Sequence, residues 1–139
     1  MPELFDAKGS CLCGAISFYA KNACNNVGAC HCGMCRKWGG GPLMVVNCGT
    51  NVLFDGEDNI SVYDSSSWAE RGFCKQCGSH LFYRLKESGL HMIPAGLFKY
   101  QDLFVFSEQI FVDKKPAFYD FSNDTNNMSE SECIEKYGI

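Results

Sequence analysis

Cys74-Lys75-Gln76-Cys77-Gly78 is the stretch from which the fold can be read: two cysteines three apart, followed by glycine. Thiolates at this spacing grip one metal ion from a tight turn whose backbone N–H groups point at sulfur. Glycine afterwards takes the positive φ that such a turn needs. A CxxC supplies only half of a tetrahedral site, so the other ligands come from elsewhere in the chain. Two further groups stand upstream, the CxC of Cys11-Leu12-Cys13-Gly14 and the CxCxxC of Cys30-His31-Cys32-Gly33-Met34-Cys35. CxC with CxxC makes four ligands, and CxCxxC makes three. The seven cysteines therefore divide into a closed site (Cys11, Cys13, Cys74, Cys77) and an open one (Cys30, Cys32, Cys35). Structural zinc takes four protein ligands and catalytic zinc keeps a position free. The spacing also allows both sites to be structural, with Cys24, Cys48 or His31 closing the second.

The rest of the composition agrees with metal rather than disulfide chemistry. Ten of the 139 residues are cysteine. The N-terminus, MPELFDAKGS, has neither a basic n-region nor an apolar stretch, so no secretory signal is read there. The apolar run at 42–46, PLMVV, falls far short of the roughly 18 residues of a spanning helix. These features point to a soluble cytoplasmic protein, in a compartment where thiols stay reduced. The net charge of −4 argues against nucleic acid and anionic membranes as partners. Thiolate–zinc sites would deepen that negative balance. Oligomeric state is not encoded in any pattern we find.

Hydrophobic patterning predicts short strands at 15–19, 43–47, 52–54, 60–63, 79–85, 91–93 and 109–112, separated by Gly and Asn/Asp turns. Many short strands with such turns predict a mainly β domain, a sandwich or barrel. Helix is scarce: one or two turns from Gly33 to Trp38, and a short helix through Lys136 announced by Ser129 and Glu132 at capping-box spacing. Residues 1–121 read as one domain, and 122–139 as a polar, acidic and mobile C-terminal tail.

The segments GSCLCGAISFYA, CHCGMCRKWGG and GFCKQCGSHLFYR together resemble the glutathione-dependent formaldehyde-activating enzyme family, which also includes centromere protein V. The resemblance runs from about Gly9 to Tyr119, with HMIPAGLF at 91–98 and EQIFVDKKPAFYDF at 108–121 similar to later family segments. It implies a zinc-stitched, β-tent-like fold of short antiparallel strands. It places Cys11, Cys13, Cys74 and Cys77 on a structural zinc, and Cys30, Cys32 and Cys35 on a second, labile zinc at the active site. It further implies a carbon–sulfur lyase activity like that of S-hydroxymethylglutathione synthase, with glutathione and formaldehyde as substrates. A different class remains open: a zinc-stabilised binding module for a protein or for glutathione adducts.

Glutathione carries two carboxylates, so cations are sought near the open site. Arg36 and Lys37 follow Cys35 directly and are the first candidates, while Arg71 and Arg84 flank the other cysteine motif. Gly39-Gly40-Gly41 serves either a ligand's approach or a plain loop, and Trp38 either a pocket wall or the core. In an extended CxC the side chain of His31 points away from the metal. His80 and His91 fall in strand patterns and suit packing. Cys24, Cys48 and Cys133 lack ligand spacing and behave as small hydrophobes.

Overall fold

Strand formation follows the alternation of apolar and polar side chains. In β2 (Ser17–Cys24) Phe18 and Ala20 turn inward while Ser17, Tyr19 and Lys21 face solvent. The computed structural model describes residues 4–137. β2 pairs antiparallel with β1 (Leu4–Ser10) and with β5 (Val52–Asp55), giving a three-stranded sheet in the order β1-β2-β5.

The larger sheet has eight strands. To β3 (Asn26–Cys30) and β4 (Leu43–Asn47) it adds β6 (Ile60–Tyr63), β7 (Ala69–Cys74), β8 (His80–Leu85), β9 (His91–Pro94), β10 (Val105–Ile110) and β11 (Asn126–Met128). Their order is β11-β10-β3-β4-β9-β8-β7-β6. Pairing is antiparallel except that β10 runs parallel to both β3 and β11. The architecture is mainly β, as the patterning predicts. It is an open pair of sheets rather than a closed barrel, since β6 and β11 remain edges.

The two sheets share one core. Phe18, Ala20 and Ala23 from the small sheet meet Val46, Leu81, Phe82 and Ile93 from the large one. Each fully buried large side chain of this kind contributes about 1.5–3 kcal/mol. Gly72 in β7 is required by this packing: a Cβ there would lie 2.3 Å from the Phe82 ring.

Two helices complete the described chain. α1 (Gly33–Gly39) starts at Cys32 and ends where Gly40 adopts φ 87° and donates its N–H to the Arg36 carbonyl at 2.7 Å. α2 (Glu130–Tyr137) carries the capping box read from the sequence. Ser129 N–H donates to Glu132 Oε1 at 2.9 Å, and Glu132 N–H to Ser129 Oγ at 3.2 Å. Residues 126–128 extend the large sheet as β11, and Cys133 of α2 is fully buried. Parallel pairing to β10 satisfies backbone groups of β11. No described helix is long and apolar enough to cross a membrane.

Candidate metal centres

The first cysteine cluster is built from two turns at the ends of strands. Cys11 and Cys13 lie in the turn after β1, while Cys74 ends β7 and Cys77 lies in the turn that follows it. Each turn is closed by a glycine in the left-handed region. Gly14 (φ 82°) donates to the Cys11 carbonyl at 3.2 Å, and Gly78 (φ 77°) to the Cys74 carbonyl at 2.8 Å. Backbone N–H groups point at sulfur, from Ile16 to Cys11 Sγ at 3.4 Å and from Gln76 to Cys74 Sγ at 3.4 Å.

The four sulfurs lie within 4.8 Å of one another, with Cys11–Cys13 at 3.7 Å and Cys13–Cys74 at 3.8 Å. Ser79 ties the two turns together. Its hydroxyl accepts from Leu12 N–H at 3.0 Å and contacts Cys77 Sγ at 3.2 Å. Hydrogen bonds from the Ser79 hydroxyl and backbone bring the Cys77 thiol down to about 5.

The second cluster forms where β3 runs into α1. Cys30 ends the strand, Cys32 caps the helix and Cys35 sits in its first turn, buried. Their sulfurs also lie within 4.8 Å of one another. Cys35 N–H donates to Cys32 Sγ at 3.3 Å. Hydrogen bonds from the Cys30 and Cys35 thiols pull Cys32 down to about 2, assisted by its own cap bond and by Arg71. Those same contacts push Cys30 far up. Among the described residues no fourth Cys, His, Asp or Glu joins the triad.

His31 does not close this site. It is fully buried, with Nδ1 2.7 Å from the Tyr119 hydroxyl and Nε2 2.8 Å from Gln109 Oε1. Cys24, Cys48 and Cys133 belong to neither cluster.

Arg71, which in sequence flanks the other cysteine motif, is brought by the fold to the Cys30–Cys32–Cys35 triad. It stands in β7 three positions before Cys74, where the pairing with β8 shifts register between Gly72 and Phe73. There it meets the second cluster, with Nη2 3.6 Å from Cys35 Sγ. The guanidinium carbon lies 5.0 Å from the centroid of the Trp38 ring and 5.1 Å from that of Tyr83. The side chain is 3% exposed, and its Nη1 is buried with no hydrogen-bond partner. Such an unmet buried donor costs about 1–3 kcal/mol, more when charged. Arg84 is engaged elsewhere, its Nε and Nη2 both on Glu70 Oε1 at 2.9 and 2.6 Å. Trp38 lies flat on His80, centroids 3.7 Å apart and planes 8° from parallel.

Arg36 and Lys37 face a hollow of about 340 Å³ shared with Gly33, Gly40, Gly41 and Phe118. Arg36 is half-buried, and its Nε donates to the His31 carbonyl at 2.9 Å; Lys37 is exposed. A larger hollow of about 750 Å³ lies over the small sheet, lined by Lys8, Tyr19, Leu53 and Lys99 among others, and none of its lining residues is a cysteine. Donor chemistry, not volume, therefore selects the site.

A protein of Schizosaccharomyces pombe (strain 972 / ATCC 24843) named as an uncharacterized lyase is 36% identical over 136 residues, 97% of each chain. A crystal structure of a Rhodobacter sphaeroides protein matches with a TM-score of 0.60 at 20% identity, over 73% of this chain and 98% of that one. That likeness bears on the fold alone. The pattern of the glutathione-dependent formaldehyde-activating enzyme family matches residues 6–114, which include all seven clustered cysteines. The chain belongs to the glutathione-dependent formaldehyde-activating enzyme family.

Proposed function

We propose that this protein is a carbon–sulfur lyase-type enzyme that joins a small thiol to an aldehyde, with glutathione and formaldehyde giving S-hydroxymethylglutathione. The observation that carries the reading is the Cys30–Cys32–Cys35 triad, which no fourth donor completes among the described residues. Family membership and the lyase-named relative support it.

The donor sets fit zinc. Four sulfurs about 2.3 Å from a tetrahedral centre lie roughly 3.8 Å apart, and the first cluster has sulfur pairs at 3.7 and 3.8 Å. Cys11, Cys13, Cys74 and Cys77 would hold a structural zinc, and Cys30, Cys32 and Cys35 a second one. When bound at the triad, zinc supplies an open position at which a thiol of ordinary pKa near 8.5 is held as thiolate.

The chain's own residues do the rest. Arg71 offsets the negative charge of the triad through Cys35. Trp38 and Tyr83 flank the guanidinium and limit access of water to it. Arg36 and Lys37 bind the carboxylates of glutathione, a role supported by their place on the adjoining hollow. A reducing cytoplasm suits the ten free cysteines.

Exchange NMR among glutathione, formaldehyde and their adduct tests the reading, with metal-loaded and chelated protein compared. A metal-dependent gain over the uncatalysed rate is expected, and its absence overturns the proposal.

A further inference from the structure

Arg71 holds more hydrogen-bonding capacity than the protein uses. A guanidinium keeps its proton under all ordinary conditions, so its N–H groups cannot be silenced by titration. One prong of the fork, Nη2, is on Cys35 Sγ at 3.6 Å. The other, Nη1, is enclosed and has no acceptor. The neighbouring carboxylate, Glu70, is committed to Arg84. The rings of Trp38 and Tyr83 lie about the guanidinium and restrict its turning. A rigid fork with one prong on a cluster sulfur presents the other to an atom lying beside that sulfur.

We propose that Nη1 of Arg71 is the docking point for the carbonyl oxygen of the aldehyde, a role that rests on the thiol–aldehyde reading above. In that reaction the thiol loses its proton to solvent and its sulfur forms a bond to the carbonyl carbon. The C=O π pair moves onto oxygen, which then takes a proton from water, so nothing is oxidised or reduced. Negative charge thus grows on an oxygen beside thiolates that already repel it. Nη1 meets that charge with a fixed, positively charged donor, in a setting shielded from water. Arg71 is accordingly a catalytic residue, and Cys35 is its anchor.

Formate, a one-carbon oxygen anion, is the probe. Its single proton reports binding by saturation-transfer NMR to the metal-loaded full chain, with chloride matching the ionic strength. Wild type is expected to bind saturably, and Arg71→Met at least tenfold more weakly with unchanged metal content. Arg71→Lys keeps the charge but not the fork, and is expected to fall between them. Formate binding unchanged in Arg71→Met, or absent in wild type, overturns the proposal.

Should Arg71→Met fail to fold or lose metal, Arg71→Lys decides: weakened formate binding with metal retained supports the role, and wild-type binding overturns it. Adduct formation is expected to slow about 100- to 1,000-fold in Arg71→Met with the KM for glutathione kept. If wild type shows no metal-dependent rate gain while formate binding still needs Arg71, the thiol–aldehyde reading fails and the oxygen site stands.

Discussion

His31 and Gln109, 78 positions apart in sequence, meet inside the protein with imidazole Nε2 2.8 Å from amide Oε1. The amide oxygen can only accept, so Nε2 carries the proton and Nδ1 accepts from the Tyr119 hydroxyl at 2.7 Å. Gln109 Nε2 in turn donates to Thr125 Oγ1 at 2.9 Å, and Thr125 Oγ1 to Asn127 Oδ1 at 2.7 Å. The loop bearing the cysteine triad is thus pinned from β10, from residue 119 and from the segment leading into β11. His31 is a neutral strut, not a ligand.

Replacing Gln109 by Leu leaves the His31 N–H buried without an acceptor. The expected loss is about 1–3 kcal/mol, seen as a lower urea midpoint with an unchanged slope. The triad should also release metal faster to a chelator, while the Cys11–Cys13–Cys74–Cys77 cluster should not. An unaltered midpoint and release rate would show that the strut carries no load.

The cysteine clusters were legible because ligand counting is local: three short motifs sum to four and three. β4 and β6 were legible as well, being short apolar runs bounded by turns. β7 was not. Its Glu70-Arg71-Gly72 looks unsuited to a buried strand, and what makes it tolerable lies far off in sequence. Arg84 takes Glu70, the Cys35 neighbourhood takes Arg71, and the Phe82 ring fills the space above Gly72. The parallel pairing of β10 with β3 joins residues 105–110 to 26–30, a match no local pattern announces. The strand predicted over 109–112 is cut short because Phe111 turns to φ 57°. The one predicted from Ala15 begins instead at Ser17, because Ile16 is held back by the Cys11 turn.

The two clusters should respond differently to loss of one sulfur. Structural zinc contributes about 10–16 kcal/mol of apparent binding energy, against roughly 5–15 kcal/mol of net domain stability. Cys74→Ser is therefore expected to abolish the folded circular-dichroism signal. Cys32→Ser should keep the fold, lose one metal per chain and lose activity. Mild chelation of wild type should reproduce the second phenotype. Equal damage from both substitutions would refute the division of labour.

His91 makes acid stability a measurable property of the core. It is buried against Phe54 and Phe82, and its Nδ1 has no partner. Burial lowers its pKa below the ordinary value of about 6.5, and Arg84 adds to this while Glu70 opposes it. The unfolded chain then binds the proton more readily than the folded one. Stability is lost as pH falls through about 6.5 toward the lowered folded-state value. His31 and His80 are shifted the same way, so the comparison must be with a variant. His91→Leu should be as stable as wild type or more so near pH 7, and should lose less stability in denaturant titrations between pH 7 and 5. The difference in slope can reach at most about 1.4 kcal/mol per pH unit, one proton's worth. Identical slopes would mean that folding does not lower the pKa of His91.

Gly72 faces the tightest side-chain constraint in the large sheet. A Cβ at this position would come within 2.3, 2.4 and 2.8 Å of three atoms of the Phe82 ring, itself almost fully buried at 1% exposure. The ring cannot withdraw freely, because Phe54 and His91 hold it at centroid distances of 5.5 and 5.4 Å. Gly72→Ala is expected to cost about 1–3 kcal/mol through overpacking, read as a lower melting temperature. Because Gly72 follows Arg71 directly, the strain should also move the guanidinium and weaken formate binding in proportion. Phe82→Leu in the Gly72→Ala background frees the space above residue 72 and should recover part of both losses. Alone, Phe82→Leu should destabilise by leaving a cavity. Additive damage in the double variant would show that the two residues do not share the strain, and that Arg71 is positioned by something other than the packing beneath it.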